Sequence, residues 1–225
     1  MTSMRLKHLV CLLVGLFLLV SCASVSTTGQ GTTQANTPQA GTPSAVPPTA
    51  TATVDPSNVS QLLALAHEKG PQDVTYTYSS TVKSPQGSAT GTGKAIFTRT
   101  PQRFLLDIQF PTAPILSRHQ VYDYTTKKLT TTSNGTTRSS TSNIEPYYML
   151  HNGKYLGKET VNGQTAYHYS GLLYQDTLGV PTELWIRVSD LYVVKVTQHA
   201  ESQGITDDLA YTDPVFNTGA TIPAP

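Results

Sequence analysis

The sequence contains little cysteine and little charge. Of its 225 residues only two are cysteines, Cys11 and Cys22, and both lie near the N-terminus. The remainder of the chain therefore cannot form a disulfide, a thiolate metal site or a cysteine nucleophile. Charged residues make up 13% of the chain and the formal net charge is +1. This balance provides no electrostatic basis for binding nucleic acid or an acidic substrate.

The motifs of common catalytic sites are also missing. The chain has no G-x-S-x-G, no H-E-x-x-H and no Gly-rich phosphate loop followed by Lys-Ser/Thr. Asp207 and Asp208 form a carboxylate pair, which we interpret as part of a solvated turn. His168 and His199 lie on predicted strands that can be neighbours, so a metal site competes with two partly exposed strand residues. We expect a protein that is not an enzyme and has no cofactor or metal.

The first residues have the features of an export signal. Arg5 and Lys7 precede the apolar run 9–20, which is shorter than the about 20 residues of a membrane-spanning helix. Leu19-Val20-Ser21-Cys22 then matches a bacterial lipobox. We predict that residues 1–21 are a signal peptide and that Cys22 carries acyl chains such as palmitate. An ordinary secretory signal and an uncleaved anchor are the alternatives.

A stretch of low apolar content follows the lipobox. From residue 23 to residue 54 the chain is rich in Thr, Ala, Pro, Ser, Gln and Gly, and it contains no Leu, Ile, aromatic, Lys or Arg residue. Such a composition buries too little apolar surface to offset the entropy of ordering. We therefore predict that residues 22–54 are the lipidated N-terminus and a disordered tether, with one domain at residues 55–225.

One amphipathic helix and many short strands are expected in the domain. Val59, Leu62, Leu63 and Ala66 recur at helical spacing, which predicts a helix over residues 56–69. Residues 103–110 alternate apolar and polar, and residues 155–200 predict a meander of four strands. Asn134-Gly135 and Asn162-Gly163 are hairpin turn signals. Residues 84–93 indicate a turn region, and residues 144–151 a short helix or lid.

These elements favour an α+β domain built on antiparallel strands. No helix separates successive strands, so parallel βαβ units are excluded. A sheet of this size must curl or close. We predict a strongly curled antiparallel sheet, an open and unclosed β-barrel, of about nine to eleven strands. One or two helices cover its concave side.

The order of elements resembles the LolA/LolB-like superfamily of lipoprotein and lipid carriers, including LppX/LprG-like bacterial lipoproteins. The residues that carry the resemblance form the hairpin around Asn162-Gly163, two strand segments and the C-terminal end: 156–169, 183–186, 193–195 and 216–225. The resemblance covers most of residues 56–225. It implies an acyl-chain site in a cavity between the curled sheet and its helices.

Candidate cavity residues combine this resemblance with the predicted helix and strand faces. They are Leu62, Leu63, Phe104, Leu106, Ile108, Phe110, Leu184 and Ile186. Phe104, Leu106, Ile108 and Phe110 are expected to point to the concave side of the sheet, toward the helix. Family members use an arginine to hold a lid, and Arg103 and Arg118 are the candidates for that role in this chain. Tyr76, Tyr78, Tyr167, Tyr169 and Trp185 could line a lipid cavity, stack on sugars or simply suit strands.

The expected function is that of a monomeric lipoprotein, anchored at the extracytoplasmic face of the cell membrane by the lipid on Cys22. It would bind an acyl-chain ligand and carry or present it in the cell envelope. The alternative is an envelope sensor or protein-interaction module of the same fold, which binds a partner protein and holds no lipid.

Overall fold

The structure is a computed structural model, and it describes residues 55–225. The predicted signal peptide, the tether and Cys22 lie outside the described residues. The described part contains helix α1 (Val59–Lys69) and eleven strands. In chain order the strands are β1 (Asp73–Ser84), β2 (Gly87–Arg99), β3 (Gln102–Gln109), β4 (Arg118–Asp123), β5 (Lys128–Ser133), β6 (Thr136–Thr141), β7 (His151–Val161), β8 (Gln164–Gln175), β9 (Leu178–Arg187), β10 (Val193–Ser202) and β11 (Ile205–Phe216).

The strands form one antiparallel sheet in the order β6-β5-β4-β3-β2-β1-β11-β10-β9-β8-β7. The chain therefore starts in the middle of the sheet, moves outward to β6, and resumes at the opposite edge with β7. It then returns to the middle, where β11 pairs with β1. Residues 142–150 connect the two edges and contain a 3-10 turn, Tyr147–Met149. The predicted antiparallel, unclosed sheet is confirmed, with eleven strands.

Both Asn-Gly pairs form tight turns, as predicted. Asn134 and Gly135 have φ values of 49° and 72°, and Asn162 and Gly163 have 49° and 76°. Positive φ at both central residues gives a backbone twist that matches the twist of the flanking strands. The turns at residues 134–135 and 162–163 therefore set the register of β5 on β6 and of β7 on β8.

Helix α1 begins three residues later than the sequence predicts. Asn58 is its N-cap, because the Asn58 side chain accepts a hydrogen bond from the backbone N–H of Gln61. The carboxylate of Asp55 accepts a hydrogen bond from the backbone N–H of Ser57 at 2.9 Å. Ser57 is thereby held in a turn outside the helix. The predicted apolar stripe is confirmed, since Val59, Leu62, Leu63 and Ala66 are its buried residues.

Two segment predictions need correction. Residues 84–93 are not a broad turn region: residues 85–86 turn, and β2 continues through Gly91. A Cβ at Gly91 would lie 2.7 Å from the ring of Phe110, so glycine makes room for that ring within a strand. Residues 144–151 contain the 3-10 turn rather than an α-helix.

The C-terminal residues 217–225 have no regular secondary structure and are held at several points. The carboxylate of Asp73 accepts hydrogen bonds from the backbone N–H groups of Thr218 and Gly219. Burial raises the pKa of Asp73, but these hydrogen bonds outweigh it and the net shift is downward. Arg103 donates to the carbonyl of Ile222, whose side chain is buried. The segment thus reaches from β1 to β3.

Candidate functional site

The sheet has an inner face, defined here as the face on which α1 packs, and an outer face opposite to it. The α1 stripe packs in one cluster with residues of β8, β9 and β10. Four of the candidate cavity residues lie in this inner cluster: Leu62, Leu63, Leu184 and Ile186. Each of the four is almost completely buried. The sequence therefore predicted correctly which helix and strand faces meet here.

Hydrogen bonds hold α1 mainly at its two ends. The hydroxyl of Tyr169 on β8 donates to the carbonyl of Pro56 at 3.0 Å. At the other end, the guanidinium of Arg99 on β2 donates to the carbonyls of Glu68 and Gly70, at 2.7 and 3.0 Å. These carbonyls belong to the last turn, which lacks intrahelical donors. Between its two ends, α1 contributes apolar side chains to the cluster.

Neither of the two candidate arginines, Arg103 and Arg118, is hydrogen-bonded to the end of α1. Arg103 pairs with Asp123 at 2.9 Å and donates to the Ile222 carbonyl. Arg118 donates to the carbonyl of Leu116 at 3.4 Å. The arginine that bonds the helix end is Arg99, which is the last residue of β2 and belongs to no distinguishing motif. Its contact with residues 68–70 depends on tertiary packing and could not be found from spacing.

The connection between the two sheet edges also packs on the inner cluster. Tyr147, Tyr148 and Leu150 contact it, and the ring of Tyr148 lies 3.8 Å from that of His67 on α1. The Tyr148 hydroxyl accepts a hydrogen bond from Gln102 at 2.9 Å. Burial raises the pKa of Tyr147 to about 12, so its hydroxyl remains neutral. The lid predicted in this segment thus corresponds to an aromatic cover beside α1.

The four candidates on β3 lie apart from the inner cluster. Leu106, Ile108 and Phe110 are buried, and Phe104 stacks at 4.7 Å on Phe97 of β2. None of the four belongs to the cluster that α1 forms. The pairing register from β3 to β9 places Phe104, Leu106 and Ile108 on the same face of the sheet as Leu184, so they point to the inner face as expected. Helix α1 packs with β8 to β10, so the eight candidates form two groups of four on this face. That they line one ligand space stays a prediction.

A band of tyrosines lies between these two groups. The ring of Tyr211 contacts those of Tyr76 and Tyr78, and Tyr76 also meets Phe97 edge-on at 6.0 Å. The Tyr76 hydroxyl donates to the carbonyl of Val193 at 2.8 Å. Burial raises the pKa of Tyr76 and of Tyr211, so both remain uncharged. The inner face thus presents neutral aromatic surface beside the aliphatic cluster.

The outer face of the same strands carries a polar and aromatic network. The ring of His168 stacks on Trp185 at 4.2 Å, and the ammonium of Lys195 lies 4.1 Å from the Trp185 ring centre. Glu159 accepts the indole N–H of Trp185 at 2.8 Å and lies 2.8 Å from Nδ1 of His168. These two hydrogen bonds lower the pKa of Glu159. The network ties β7, β8, β9 and β10 together.

A groove lies beside this network. It consists of two adjoining depressions of about 360 and 330 Å³ that share Val161, Asn162, Val194 and Asp213. The amide of Asn162 donates to Asp213 at 3.2 Å and connects the β7–β8 turn to β11. None of the eight candidate cavity residues lines either depression.

The two histidines considered for a metal site have different carboxylate partners. His168 lies between Glu159 and Glu183, whereas His199 pairs with Asp208. Within residues 55–225, no three His, Cys, Asp or Glu residues are grouped to hold a metal ion. Asp207 and Asp208 are part of β11, so their interpretation as a turn is wrong.

Within residues 55–225, no helix has both the length and the apolar character needed to cross a membrane.

No protein-family model matches the chain. No curated protein has a significantly similar sequence.

Solved structures share the arrangement of the chain. Lipoprotein LppX from Mycobacterium tuberculosis is 11% identical with a TM-score of 0.43, over 76% of this chain and 100% of that one. LprF from Mycobacterium bovis is 15% identical with a TM-score of 0.39, over 75% and 97%. A LolA superfamily protein from Nitrosomonas europaea is 10% identical with a TM-score of 0.37, over 73% and 94%. The chain is similar to these structures, and likenesses at this level say nothing about function.

Proposed function

We propose that the chain is a lipoprotein that binds an acyl chain between α1 and the inner face of the sheet, and that it carries or presents this ligand in the cell envelope. The observation that carries the proposal is the inner cluster, in which apolar side chains of α1 and of the sheet meet. Hydrogen bonds hold the helix at its ends, through Tyr169 and Arg99. An acyl chain can replace apolar packing of this kind, because such packing is not directional.

A strongly curled sheet would enclose such a ligand, and contacts of Ser142 support this curvature. Its carbonyl accepts from the hydroxyl of Tyr122 on β4 at 2.9 Å, and its own hydroxyl donates to Asp176, just after β8, at 3.0 Å. Seven strand-to-strand steps separate β4 from β8 in the sheet. At about 4.8 Å per step, a flat sheet would hold them ~34 Å apart. We infer that the sheet curls around its inner face.

Ligand entry then requires α1 and the residues 142–150 to move away from the sheet. The inner cluster is closed in this structure, because its members are buried against one another. Each methylene of an entering chain would contribute about 0.8 kcal/mol on burial. Several methylenes can therefore offset the loss of helix contacts. The neutral tyrosines beside the cluster offer further apolar surface.

Binding of a fluorescent long-chain fatty acid tests the location of the site. Leu62→Trp fills the space under α1, and Leu106→Trp fills the β3 region with the same side chain. Losing contact with two methylenes weakens binding about tenfold, at 0.8 kcal/mol per CH₂ and 1.4 kcal/mol per factor of ten. We expect at least this loss for Leu62→Trp and little change for Leu106→Trp.

Denaturation of both variants shows whether each remains folded. Overpacking a solid core costs about 1–3 kcal/mol of stability. The opposite pattern of probe binding would move the site to β3. Absence of probe binding by the wild type, together with no lipid retained in native mass spectrometry of the Cys22→Ser chain, would refute the carrier function.

Anchoring is a separate part of the proposal. Cys22 lies in a lipobox, and its acyl chains would hold the protein at the extracytoplasmic face of the membrane. Cys22→Ser removes the thiol that accepts the lipid and should shift the protein from the detergent phase to the aqueous phase. Unchanged partitioning, with no acyl mass on the wild-type N-terminus, would exclude a lipid anchor.

The second candidate is a sensor or interaction module without a lipid ligand. The outer groove favours it, because the depressions lie between the β7–β8 turn and β11 rather than beneath α1. In that case a partner protein would occupy the groove. Substitutions there, such as Asn162→Ala, would weaken partner binding, and substitutions under α1 would not.

A further inference from the structure

The two edges of the sheet differ in how they are protected from further strand pairing. Exposed edges normally carry charges, bulges or prolines, because unpaired backbone groups otherwise recruit another strand. β7 has register irregularities between His151 and Lys154 and between Tyr155 and Gly157. It also carries Lys154, Lys158 and Glu159. These features protect β7 against strand addition.

β6 has fewer of these protections, namely its short length and the single charge of Arg138. Its six residues, TTRSST, pair with β5 without a register shift, and they include no proline or glycine. Five of the six are exposed and Ser140 is half-buried. In the part of the chain that the structure describes, β5 is the single neighbour of β6. Its other side therefore presents the backbone donors and acceptors of a straight strand about 20 Å long.

We propose that β6 of one molecule pairs antiparallel with β6 of a second copy, so that the two sheets become continuous. The side-chain chemistry supports this partner. Across the existing β5–β6 pair, hydroxyls meet at 2.8 Å between Thr132 and Thr137 and at 2.9 Å between Thr130 and Ser139. A second Thr/Ser strand would offer hydroxyls to β6 in the same way.

Charge selects the register of this pairing. An antiparallel pair with two-fold symmetry has its axis perpendicular to the sheet, so one residue at the centre lies opposite itself. Centres at Arg138 and at Ser139 both leave five residues of β6 paired. A centre at Arg138 places like charges opposite each other, which is destabilising. A centre at Ser139 places Arg138 opposite Ser140 of the second copy, and this is the register we assign.

The pairing is expected to be weak, because five residues per strand form far less than a standard interface of about 800 Å² per partner. The monomer expected from the sequence would therefore remain the main form in dilute solution. The dimer depends only on β6, which contacts neither α1 nor the outer groove. Detecting or not detecting the dimer therefore neither supports nor contradicts the proposed lipid site.

Cysteine cross-linking captures a weak pairing and reports its register. The test uses the full chain with Cys11 and Cys22 replaced by Ser, which has no other thiol. In Ser139→Cys the two sulfurs would be opposite each other, with Cα atoms about 4.5–5.5 Å apart, which suits a disulfide. In the control Thr137→Cys, the same pairing holds the two thiols about four residues apart, ~14 Å along the strand.

We expect Ser139→Cys to form disulfide-linked dimers under mild oxidation and Thr137→Cys to form at least about tenfold fewer. Charge changes then test the interface by sedimentation equilibrium in the same chain without cysteines. Ser139→Lys places two ammonium groups opposite each other and should abolish dimers, whereas Ser139→Thr should retain them. Ser140→Glu faces Arg138 of the second copy and should strengthen association.

Equal cross-linking at positions 137 and 139 would overturn the proposal, as would a sedimentation profile with no dimer at any concentration. Dimers that survive Ser139→Lys would place the interface elsewhere and would equally overturn it. Circular dichroism of each variant checks that the β6 substitutions leave the fold intact, which is expected because residues 137 and 139 are exposed and Ser140 is half-buried.

Discussion

The two faces of β9 reach similar burial in different ways. Leu184 and Ile186 point to the inner face and pack with residues of α1. Trp185 lies between them in sequence, points outward and is 4% exposed. Its ring is enclosed by its cross-strand neighbours, His168 on β8 and Lys195 on β10. One face is closed by another element, and the other by side chains of adjacent strands.

This difference bears on where a ligand can enter. The inner contacts are apolar and non-directional, so a flexible chain can replace them at modest cost. On the outer face, Glu159 must be within hydrogen-bonding distance of both Trp185 and His168 to satisfy them. These hydrogen bonds form in only one arrangement of the three side chains, so the network resists displacement by a ligand. We therefore expect the inner face to exchange partners and the outer face to maintain strand register.

The largest loss of stability is expected when the inner face is broken. Leu184→Ala removes a fully buried side chain and leaves a cavity under α1, which should cost about 2–5 kcal/mol in the free energy of unfolding. Leu178→Ala on the same strand is the control, because Leu178 is 38% exposed. It should cost less than about 1 kcal/mol. Equal losses in urea denaturation would contradict the packing of β9 on α1.

The pairing register of β7 on β8 positions side chains on both faces of the sheet. Straining the turn at residues 162–163, which sets this register, is expected to cause the next largest loss of stability. A Cβ at Gly163 meets no atom within 4 Å, so the cost of Gly163→Val arises from φ = +76° alone. We expect about 1–3 kcal/mol of destabilisation. Gly163→Asn is the matched control, since asparagine tolerates this backbone region. A denaturation midpoint unchanged by valine would show that the turn does not set the register.

On the outer face, a smaller effect is expected from removing the cation over the indole. Lys195→Met keeps the aliphatic stem and should cost about 0.5–1 kcal/mol, the range for an exposed cation–π contact. Trp185 is the single tryptophan of the chain, so its emission reports this site directly. We expect the emission to shift in Lys195→Met and to remain unchanged in Leu178→Ala. An identical spectrum in both would argue against the contact.

The smallest effects concern two adjacent carboxylates on β11. Asp207 bonds Ser80 at 2.6 Å, and burial raises its pKa. Asp208 faces Lys83 and His199, and hydrogen bonds from these two groups lower its pKa. Asp207 therefore contributes stability at low pH that is lost as pH rises through its raised pKa. Asp208 contributes stability above its ordinary pKa that is lost as pH falls.

Unfolding measured between pH 3 and pH 8 distinguishes the two carboxylates. Asp207→Asn should be at least as stable as the wild type at neutral pH and lose its advantage in acid. Asp208→Asn should be less stable at neutral pH by below about 1 kcal/mol, as for other surface pairs, and equal to the wild type in acid. The same sign of pH dependence for both would refute their placement on opposite faces.

Local features of the fold were predictable from sequence. The helical stripe of Val59, Leu62, Leu63 and Ala66, the alternation in β9 and both Asn-Gly turns involve residues close along the chain. Their physical causes are therefore also local, namely side-chain periodicity and tolerance of positive φ. Four of the eight candidate residues, Leu62, Leu63, Leu184 and Ile186, meet in the inner cluster, and a ligand site there stays a prediction.

For the four candidates on β3, the sequence did not show how far they lie from α1, because periodicity shows which face of a strand is apolar and not which element covers it. Phe104, Leu106, Ile108 and Phe110 satisfy the same pattern as Leu184 and Ile186, yet α1 packs with β8 to β10. The deciding contacts join distant parts of the chain. Arg99 bonds the end of α1, and Ser142 bonds both Tyr122 and Asp176.

By itself, the sequence determined the antiparallel class of the sheet, the helix, the tight turns and the apolar face of strands such as β3 and β9. Only the tertiary structure decided that β1 pairs with β11, that β6 and β7 become the edges, and that α1 lies over one part of the inner face. The physical reason is that strand order depends on contacts between residues far apart in the chain, whereas side-chain alternation is the same for any order of strands.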